Sequence, residues 1–263
     1  MDCKNCNKTL NNNQCYCDDC GAKVIQNRLT PKILAAQVNE QFISIDNKFL
    51  RTFIDLFKKP EAVIDGYIHG TRKKYIDVLQ YFAISLTLAG IQVFLMKTFF
   101  KEALEFSPEI LQAIESSPSQ KNNPFLNGSF DDATKYQGII YILTVPFSAL
   151  ATWLGYYFLG ERSYNFTEHL VLNLYYSAQI IIITAVFSII FLLFGLNYLI
   201  VSTLITLPTF IYLFYVLKRV FKDSFWETFA RFLFVMVIYI GVFFIIGILI
   251  VLAGIIFGIT SHK

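Results

Sequence analysis

The sequence is poor in charged residues. Asp, Glu, Lys and Arg make up 16% of its 263 residues, whereas an average soluble domain has roughly 25%. Hydrophobic residues make up 55%, and the mean hydropathy is +0.52. This balance excludes an ordinary soluble domain and predicts a membrane protein.

Residues suited to catalysis or ion transfer are also scarce. The chain has three histidines and contains no HExxH, no GxSxG, no phosphate-binding P-loop and no dinucleotide-binding fingerprint. Within the long apolar segments the one ionisable residue is Asp77, at the start of the first segment. Because a proton or ion pathway needs such groups at depth, the sequence argues against a pump. An enzyme is not predicted either, and no catalytic residue is assigned.

Cysteine is absent after residue 20, and all five cysteines lie within the first 20 residues. Cys3 and Cys6 form one CxxC pair and Cys17 and Cys20 form a second, with ten residues between the pairs. This spacing resembles that of a zinc ribbon, in which each CxxC turn directs two sulfurs at one ion. Four thiolates complete a tetrahedral shell. The sequence therefore predicts a structural Zn²⁺ bound by these four residues.

The residues around the two pairs fit such turns. Asn7 follows the first pair and Gly21 follows the second, and both residue types tolerate the positive φ that the turns need. Cys15 is left as a spare thiol, or alternatively it replaces Cys17 as a ligand. The other alternative is a pair of disulfides, which a reducing cytoplasm disfavours. A site closed by four thiolates has no open position for water, so catalysis at this metal is not expected.

Residues 28–74 are predicted to form amphipathic juxtamembrane helices. Thr30 is typical of the N-cap of a helix whose first residue is proline. A further short helix begins at Pro60, with Gly70 as its C-cap. In the segment 46–58, apolar side chains recur at helical spacing: Phe49, Phe53, Leu56 and Phe57. This segment could lie in the headgroup plane, pack against the spans or bury its apolar face in a partner.

Basic residues cluster just before the first long apolar segment. Those predicted to contact lipid headgroups are Lys58, Lys59, Arg72, Lys73 and Lys74. Each such charge near an anionic leaflet contributes about 1 kcal/mol. The simpler alternative is that the cluster only sets the orientation of the chain. Because cytoplasmic flanks retain Lys and Arg, the N-terminus is predicted to be cytoplasmic.

Five apolar segments are long enough to cross a bilayer: about 76–96, 138–160, 170–194, 197–217 and 232–259. The predicted fold class is an all-α polytopic membrane protein with about five transmembrane helices and a small N-terminal zinc-ribbon head. Three domains are predicted: a zinc ribbon at 1–27, juxtamembrane helices at 28–74 and a membrane domain at 75–263. Alternation of the spans then places the C-terminus in the periplasm, with the protein in the inner (plasma) membrane.

The spans also contain polar side chains and helix-breaking residues. The third span has a polar stripe: Asn173, Tyr175, Tyr176 and Gln179. Such groups must find partners in hydrocarbon, and helix packing is favoured over a substrate cavity. Pro146 and Pro208 predict kinks in the second and fourth spans. Gly254 and Gly258 have the small-xxx-small spacing that predicts a close helix contact, within the chain or between copies.

Several motifs taken together resemble one known family. They are CKNC at 3–6, CDDCG at 17–21, RLT at 28–30, DNKFLRT at 46–52, and Pro60 leading into YIHGTR at 67–72. This combination resembles the bacterial domain-of-unknown-function family 3667 over residues 3 to about 80. The resemblance implies an N-terminal zinc ribbon joined to a multi-span membrane body. The family has no established activity, so the resemblance leaves function open.

The leading functional hypothesis is a non-enzymatic docking, scaffold or assembly component. In it the zinc ribbon contacts a protein partner, and the spans anchor the chain in the lipid bilayer. One alternative is a transporter component with a site between the kinked spans, and another is a lipid-modifying enzyme acting through Glu161, Glu168 or His169 at the cytoplasmic face. An oligomer through Gly254 and Gly258 is a further expectation. Nucleic acid is not an expected partner, because the charge of the head is almost balanced.

Overall fold

A computed structural model of the chain describes residues 2–11, 14–22, 24, 30–33, 48–100, 134–196 and 198–261, the last with side chains only at 200–248. The chain divides into two compact units, Met1–Asn47 and Lys48–Lys263. In the first unit, residues 31–33 are helical, and the Thr30 hydroxyl accepts a hydrogen bond from the Ile33 N–H at 3.3 Å, as expected of an N-cap. The rest of the helix predicted there lies outside the described residues.

Seven helices make up the described part of the second unit. They are α1 (Lys48–Lys58), α2 (Pro60–Ile68), α3 (Val78–Phe99), α4 (Gln137–Phe158), α5 (Phe166–Leu193), α6 (Tyr198–Phe221) and α7 (Phe225–Ser261). Five of them contain a segment long and apolar enough to cross a membrane: Val78–Phe99, Gln137–Phe158, Phe166–Leu193, Ile200–Phe221 and Phe225–Ile248. The prediction of an all-helical polytopic membrane protein with five spans is therefore confirmed.

The helix ends follow from local sequence. Asp77 is the N-cap of α3, and its side chain accepts a hydrogen bond from the Leu79 N–H. Asn165 and Glu168 form a capping box that begins α5. The C-cap of α2 is His69, one residue before the predicted Gly70. Gly70 follows it with a φ of +97°, which glycine adopts without strain.

The predicted helix breakers have little effect on helix continuity. α4 continues through Pro146 and α6 continues through Pro208. Each proline removes one N–H donor from its helix but leaves the flanking turns helical.

The centre of the second unit is α5, which packs against α3, α4 and α6. Its side chains at Leu172, Tyr175, Ala178 and Ile182 are buried among these neighbours. α7 packs mainly against α4. At that contact a Cβ added to Gly155 would lie 2.5 Å from Val235 Cγ2, so only glycine allows this approach of the two helices.

The charges of the second unit are concentrated at one end. Hydrogen bonds and ion pairs bring together α2, the α4–α5 turn, the last turn of α6 and the first turns of α7, and we call this region the basic end. Its cations are Lys58, Lys59, Arg72, Lys73, Lys74, Arg162, Lys218, Arg219, Lys222 and Arg231. Among the described residues, the far ends of the spans have only Lys97 and Lys135.

Candidate metal centre and helical hairpin

The two CxxC pairs of the head form matching turns. The Asn7 N–H donates to the Cys3 carbonyl at 2.8 Å, and the Gly21 N–H donates to the Cys17 carbonyl at 2.9 Å. Asn7 and Gly21 have φ values of 61° and 69°. The positive φ expected just past the second cysteine of each pair is therefore confirmed. Asn and Gly are the residue types that adopt it with the least backbone strain.

These turns bring four sulfurs together. The Sγ atoms of Cys3, Cys6, Cys17 and Cys20 all lie within 4.8 Å of one another. Two of the separations, Cys3 to Cys20 and Cys6 to Cys17, are 3.6 Å. Four sulfurs at about 2.3 Å from one ion would be about 3.8 Å apart, whereas a disulfide requires about 2.05 Å. The group can therefore hold a metal ion, and its four-sulfur donor set suits a closed tetrahedral site.

The surroundings of the sulfurs favour the thiolate form at one of them. Hydrogen bonds from the Asn5 side chain and the Ala22 backbone lower the pKa of the Cys20 thiol to about 6. Lys8 forms an ion pair with Asp18 at 3.0 Å, which links the loop after the first pair to the second pair. Cys15 is exposed and is not part of the four-sulfur group.

The hairpin of α1 and α2 packs against the spans. In α1, Thr52 and Leu56 are fully buried, and the Phe49 ring lies 5.5 Å from the Tyr81 ring of α3. Thr52 Oγ1 also accepts a hydrogen bond from the Ile76 N–H, which fixes the segment leading into α3. Three placements were considered for this amphipathic segment: in the headgroup plane, against the spans or in a partner. The structure shows that the segment packs against the spans.

Side chains of the spans bind the backbone carbonyls of α1. Gln179 Nε2 donates to the Phe53 carbonyl at 3.1 Å, the Tyr212 hydroxyl donates to the Leu56 carbonyl at 3.0 Å, and Tyr215 donates to Lys58 at 3.1 Å. The last carbonyls of a helix have no partner within the helix. Leu56 and Lys58 are among them, so α6 completes the C-terminus of α1, while α5 binds a carbonyl further back in the helix.

Carboxylates of the hairpin accept hydrogen bonds from side chains at the basic end. Glu61 accepts two hydrogen bonds from Arg219, one of them at 3.0 Å, and Asp65 accepts one from the Tyr164 hydroxyl. Although burial opposes it, the Arg219 guanidinium lowers the pKa of Glu61. Sequence reasoning did not single out Glu61, Asp65 or Tyr164, because no local pattern distinguishes them from other residues near a membrane.

The residues predicted to contact lipid headgroups are exposed at the basic end. Arg72 lies over the Tyr67 ring at 3.9 Å, and Lys74 lies 5.0 Å from the centre of the Tyr75 ring. Lys59 is 3.7 Å from the Asp55 carboxylate. Their contact with lipid stays a prediction.

The polar stripe of α5 is used in helix packing. Asn173 Nδ2 donates to Thr152 Oγ1 and to the His169 carbonyl, both at 2.8 Å. Gln179 accepts a hydrogen bond from the Tyr81 hydroxyl of α3. Tyr175 and Tyr176 donate to backbone carbonyls outside α5. The expectation that these groups pair between helices is confirmed.

The groups considered for a lipid-modifying site do not meet. His169 is 2% exposed, and its Nδ1 lies 3.2 Å from Thr152 Oγ1. Glu168 caps α5, and Glu161 accepts from the Ser163 N–H and lies 3.6 Å from Arg231. Each of these three side chains is thus engaged in helix capping, an ion pair or helix packing.

One buried hydroxyl in this region has no partner within the described part of the chain, and it gives a prediction. Tyr156 is fully buried and stacks on Phe221 with 3.9 Å between ring centres, yet its hydroxyl makes no hydrogen bond there. Tyr156→Phe should therefore leave the stability unchanged or raise it by up to about 1 kcal/mol. The matched change Tyr175→Phe removes a hydrogen bond to the Ile76 carbonyl, and should lower stability by about 1 kcal/mol. Thermal unfolding in detergent measures both, and equal losses in the two variants would contradict the assignment.

The fold and the sites define a class: a polytopic, all-helical membrane protein with a four-cysteine head that can hold a metal ion. The model of the family described as "Protein of unknown function (DUF3667)" matches residues 46–90, so the resemblance to this family is confirmed over that stretch. The match spans α1, α2 and the first half of α3, so it covers the hairpin and leaves out the four-cysteine head. No curated protein and no solved structure matches the chain significantly.

Proposed function

We propose that this protein is a docking or assembly component of the bacterial inner membrane. In this proposal the head binds one structural Zn²⁺ and contacts a protein partner in the cytoplasm, and the five-span body anchors it. The observation that carries the proposal is the convergence of four cysteine sulfurs on one point. Four thiolates fill a tetrahedral shell, so the ion has no open position for a substrate and serves to fold the head.

The choice of zinc rests on the donor set. Four thiolates on two CxxC turns are typical of structural zinc, whereas magnesium and calcium take oxygen ligands. A head this small cannot bury enough apolar surface to fold alone. Its described core consists of Cys3, Leu10 and Cys17 with a few partly buried neighbours, so metal binding is needed to supply folding free energy.

The orientation rests on the distribution of charge. The basic end has most of the described cations of the second unit, and cytoplasmic flanks retain such residues. α3 begins at this end, so the chain before it lies on the cytoplasmic side. A reducing cytoplasm keeps the four thiols free to bind metal.

A transporter is less well supported. It would need Asn173 or Gln179 to line a water-accessible cavity, but both are buried and bind groups of neighbouring helices. Amides paired in this way hold helices together rather than offering donors to a substrate.

The test is purification of the full-length chain from its native membrane in mild detergent. The double variant Cys17→Ser, Cys20→Ser is compared with the wild type, and Cys15→Ser is the matched control because Cys15 lies outside the four-sulfur group. We expect a defined set of proteins to copurify with the wild type and the control and to be lost from the double variant. An unchanged set in the double variant would contradict docking by the head.

A further inference from the structure

α1 has a second apolar stripe, which is partly exposed and whose last ring, Phe57, lies 5.6 Å from the Tyr212 ring of α6. Leu50, Ile54 and Phe57 are 50%, 38% and 42% exposed. They lie four and three residues apart, so they share one face of the helix. The opposite face, which includes Thr52 and Leu56, is buried.

The position of α1 indicates what this stripe meets. Its carbonyls bind Gln179 and Tyr212, and both residues lie inside segments apolar enough to cross a membrane. Tyr212 is nine residues from the Phe221 end of α6, which is about 13 Å along the helix. Its sequence neighbours Phe210 and Ile211 are exposed apolar residues. The stripe on α1 therefore lies beside a lipid-facing surface of the spans.

The end of the stripe is positively charged. Phe57 is followed directly by Lys58 and Lys59, which are exposed. Lys59 lies 3.7 Å from Asp55, whereas no acidic side chain in the described chain lies within ion-pair distance of Lys58. An apolar strip that ends in two ammonium groups is complementary to an acyl chain with an anionic headgroup.

We propose that α1 binds an anionic phospholipid, with an acyl chain along Leu50, Ile54 and Phe57 and the phosphate at Lys58 and Lys59. This site is on the hairpin and is independent of the metal centre. Failure of the lipid proposal would therefore not contradict the proposed docking function, and the reverse also holds. Binding here places a lipid against the helix whose carbonyls the spans cap.

Tryptophan quenching by brominated lipids tests this site in the full-length chain. Ile54→Trp is made in a chain in which Trp153 and Trp226, the two native tryptophans, are replaced by Phe. The protein is reconstituted in vesicles that contain both phosphatidylglycerol and phosphatidylcholine, with one or the other of the two lipids dibrominated. Ile240→Trp, at a position on α7 that is 68% exposed, is the matched lipid-facing control. Leu50→Trp serves as a second reporter if the first variant does not fold.

We expect the tryptophan on α1 to select phosphatidylglycerol over phosphatidylcholine about 25-fold more strongly than Trp at 240, since each of the two lysines near anionic lipid contributes about fivefold. Adding Lys58→Gln and Lys59→Gln should remove that difference. Quenching without headgroup selection would overturn the phosphate site. No quenching by either lipid would overturn lipid binding altogether and show that the stripe is covered by water or protein.

Discussion

Purified full-length protein should contain one zinc ion per chain, and Cys17→Ser should remove nearly all of it. The structure gives each of the four sulfurs a place within 4.8 Å of the others, and a structural zinc that loses one thiolate keeps only three of its protein ligands. Structural zinc sites of small domains bind with roughly 10–16 kcal/mol of free energy, which is also the free energy that folds the domain. The loss should therefore include the folded state of the head. Elemental analysis of protein passed over a chelating resin measures the metal content.

The control for this experiment is Cys15→Ser. Cys15 is exposed and outside the four-sulfur group, so this variant should retain one zinc ion per chain. Equal zinc loss from Cys15→Ser and Cys17→Ser would show that the ligand set is wrong. Zinc-free wild-type protein would rule out the site as a zinc site.

Gly155→Ala should be strongly destabilising for a change of one methyl group. The added Cβ would lie 2.5 Å from Val235 Cγ2 and 3.4 Å from Val235 Cα, and a β-branched side chain packed between helices has little freedom to move away. Overpacking of this kind lowers stability by about 1–3 kcal/mol. Thermal unfolding in detergent or nanodiscs measures the effect.

Two companion variants separate packing from helix propensity. Gly138→Ala lies in the same helix, with nothing within 4 Å of its new Cβ, and should raise stability by up to about 1 kcal/mol. Adding Val235→Ala to Gly155→Ala should recover part of the loss, since it removes the methyl group that clashes. If both alanine variants changed stability in the same direction, the close contact between α4 and α7 would not exist.

Features set by local sequence were predictable. The positive φ at Asn7 and Gly21 follows from a tight turn after each cysteine pair, and the N-cap at Thr30 follows from its neighbour Pro31. The five spans follow from hydropathy and length, because a bilayer of fixed thickness requires long apolar helices. In each case the information lies within a few turns of chain.

Features set by distant contacts were not predictable in detail. The spacing of Phe49 and Phe53 predicted an apolar face, but nothing local indicated that α6 would cap α1. The ion pair between Glu61 and Arg219 joins residues 158 positions apart. His169 was considered for a lipid-modifying site at the cytoplasmic face, whereas packing against Tyr156, Tyr164 and Phe221 buries it.

The glycines also show that contacts between distant helices cannot be predicted from local sequence. The sequence pattern predicted a close helix contact at Gly254 and Gly258, whose surroundings lie outside the described residues. The close approach is at Gly155, a single glycine in a helix of ordinary composition. What distinguishes Gly155 from other helix glycines is the contact with Val235 of the neighbouring helix α7.

The side of the membrane on which the head lies tests the account most directly. All five cysteines are within the first 20 residues, so a membrane-impermeant maleimide reports on the head alone, chiefly through the exposed thiol of Cys15. Ser261→Cys, at the opposite terminus, is the positive control. We predict that intact cells leave the wild-type chain unlabelled and label the Ser261→Cys chain, and that permeabilised cells label both. Labelling of the wild-type chain in intact cells would place the head outside and contradict the account.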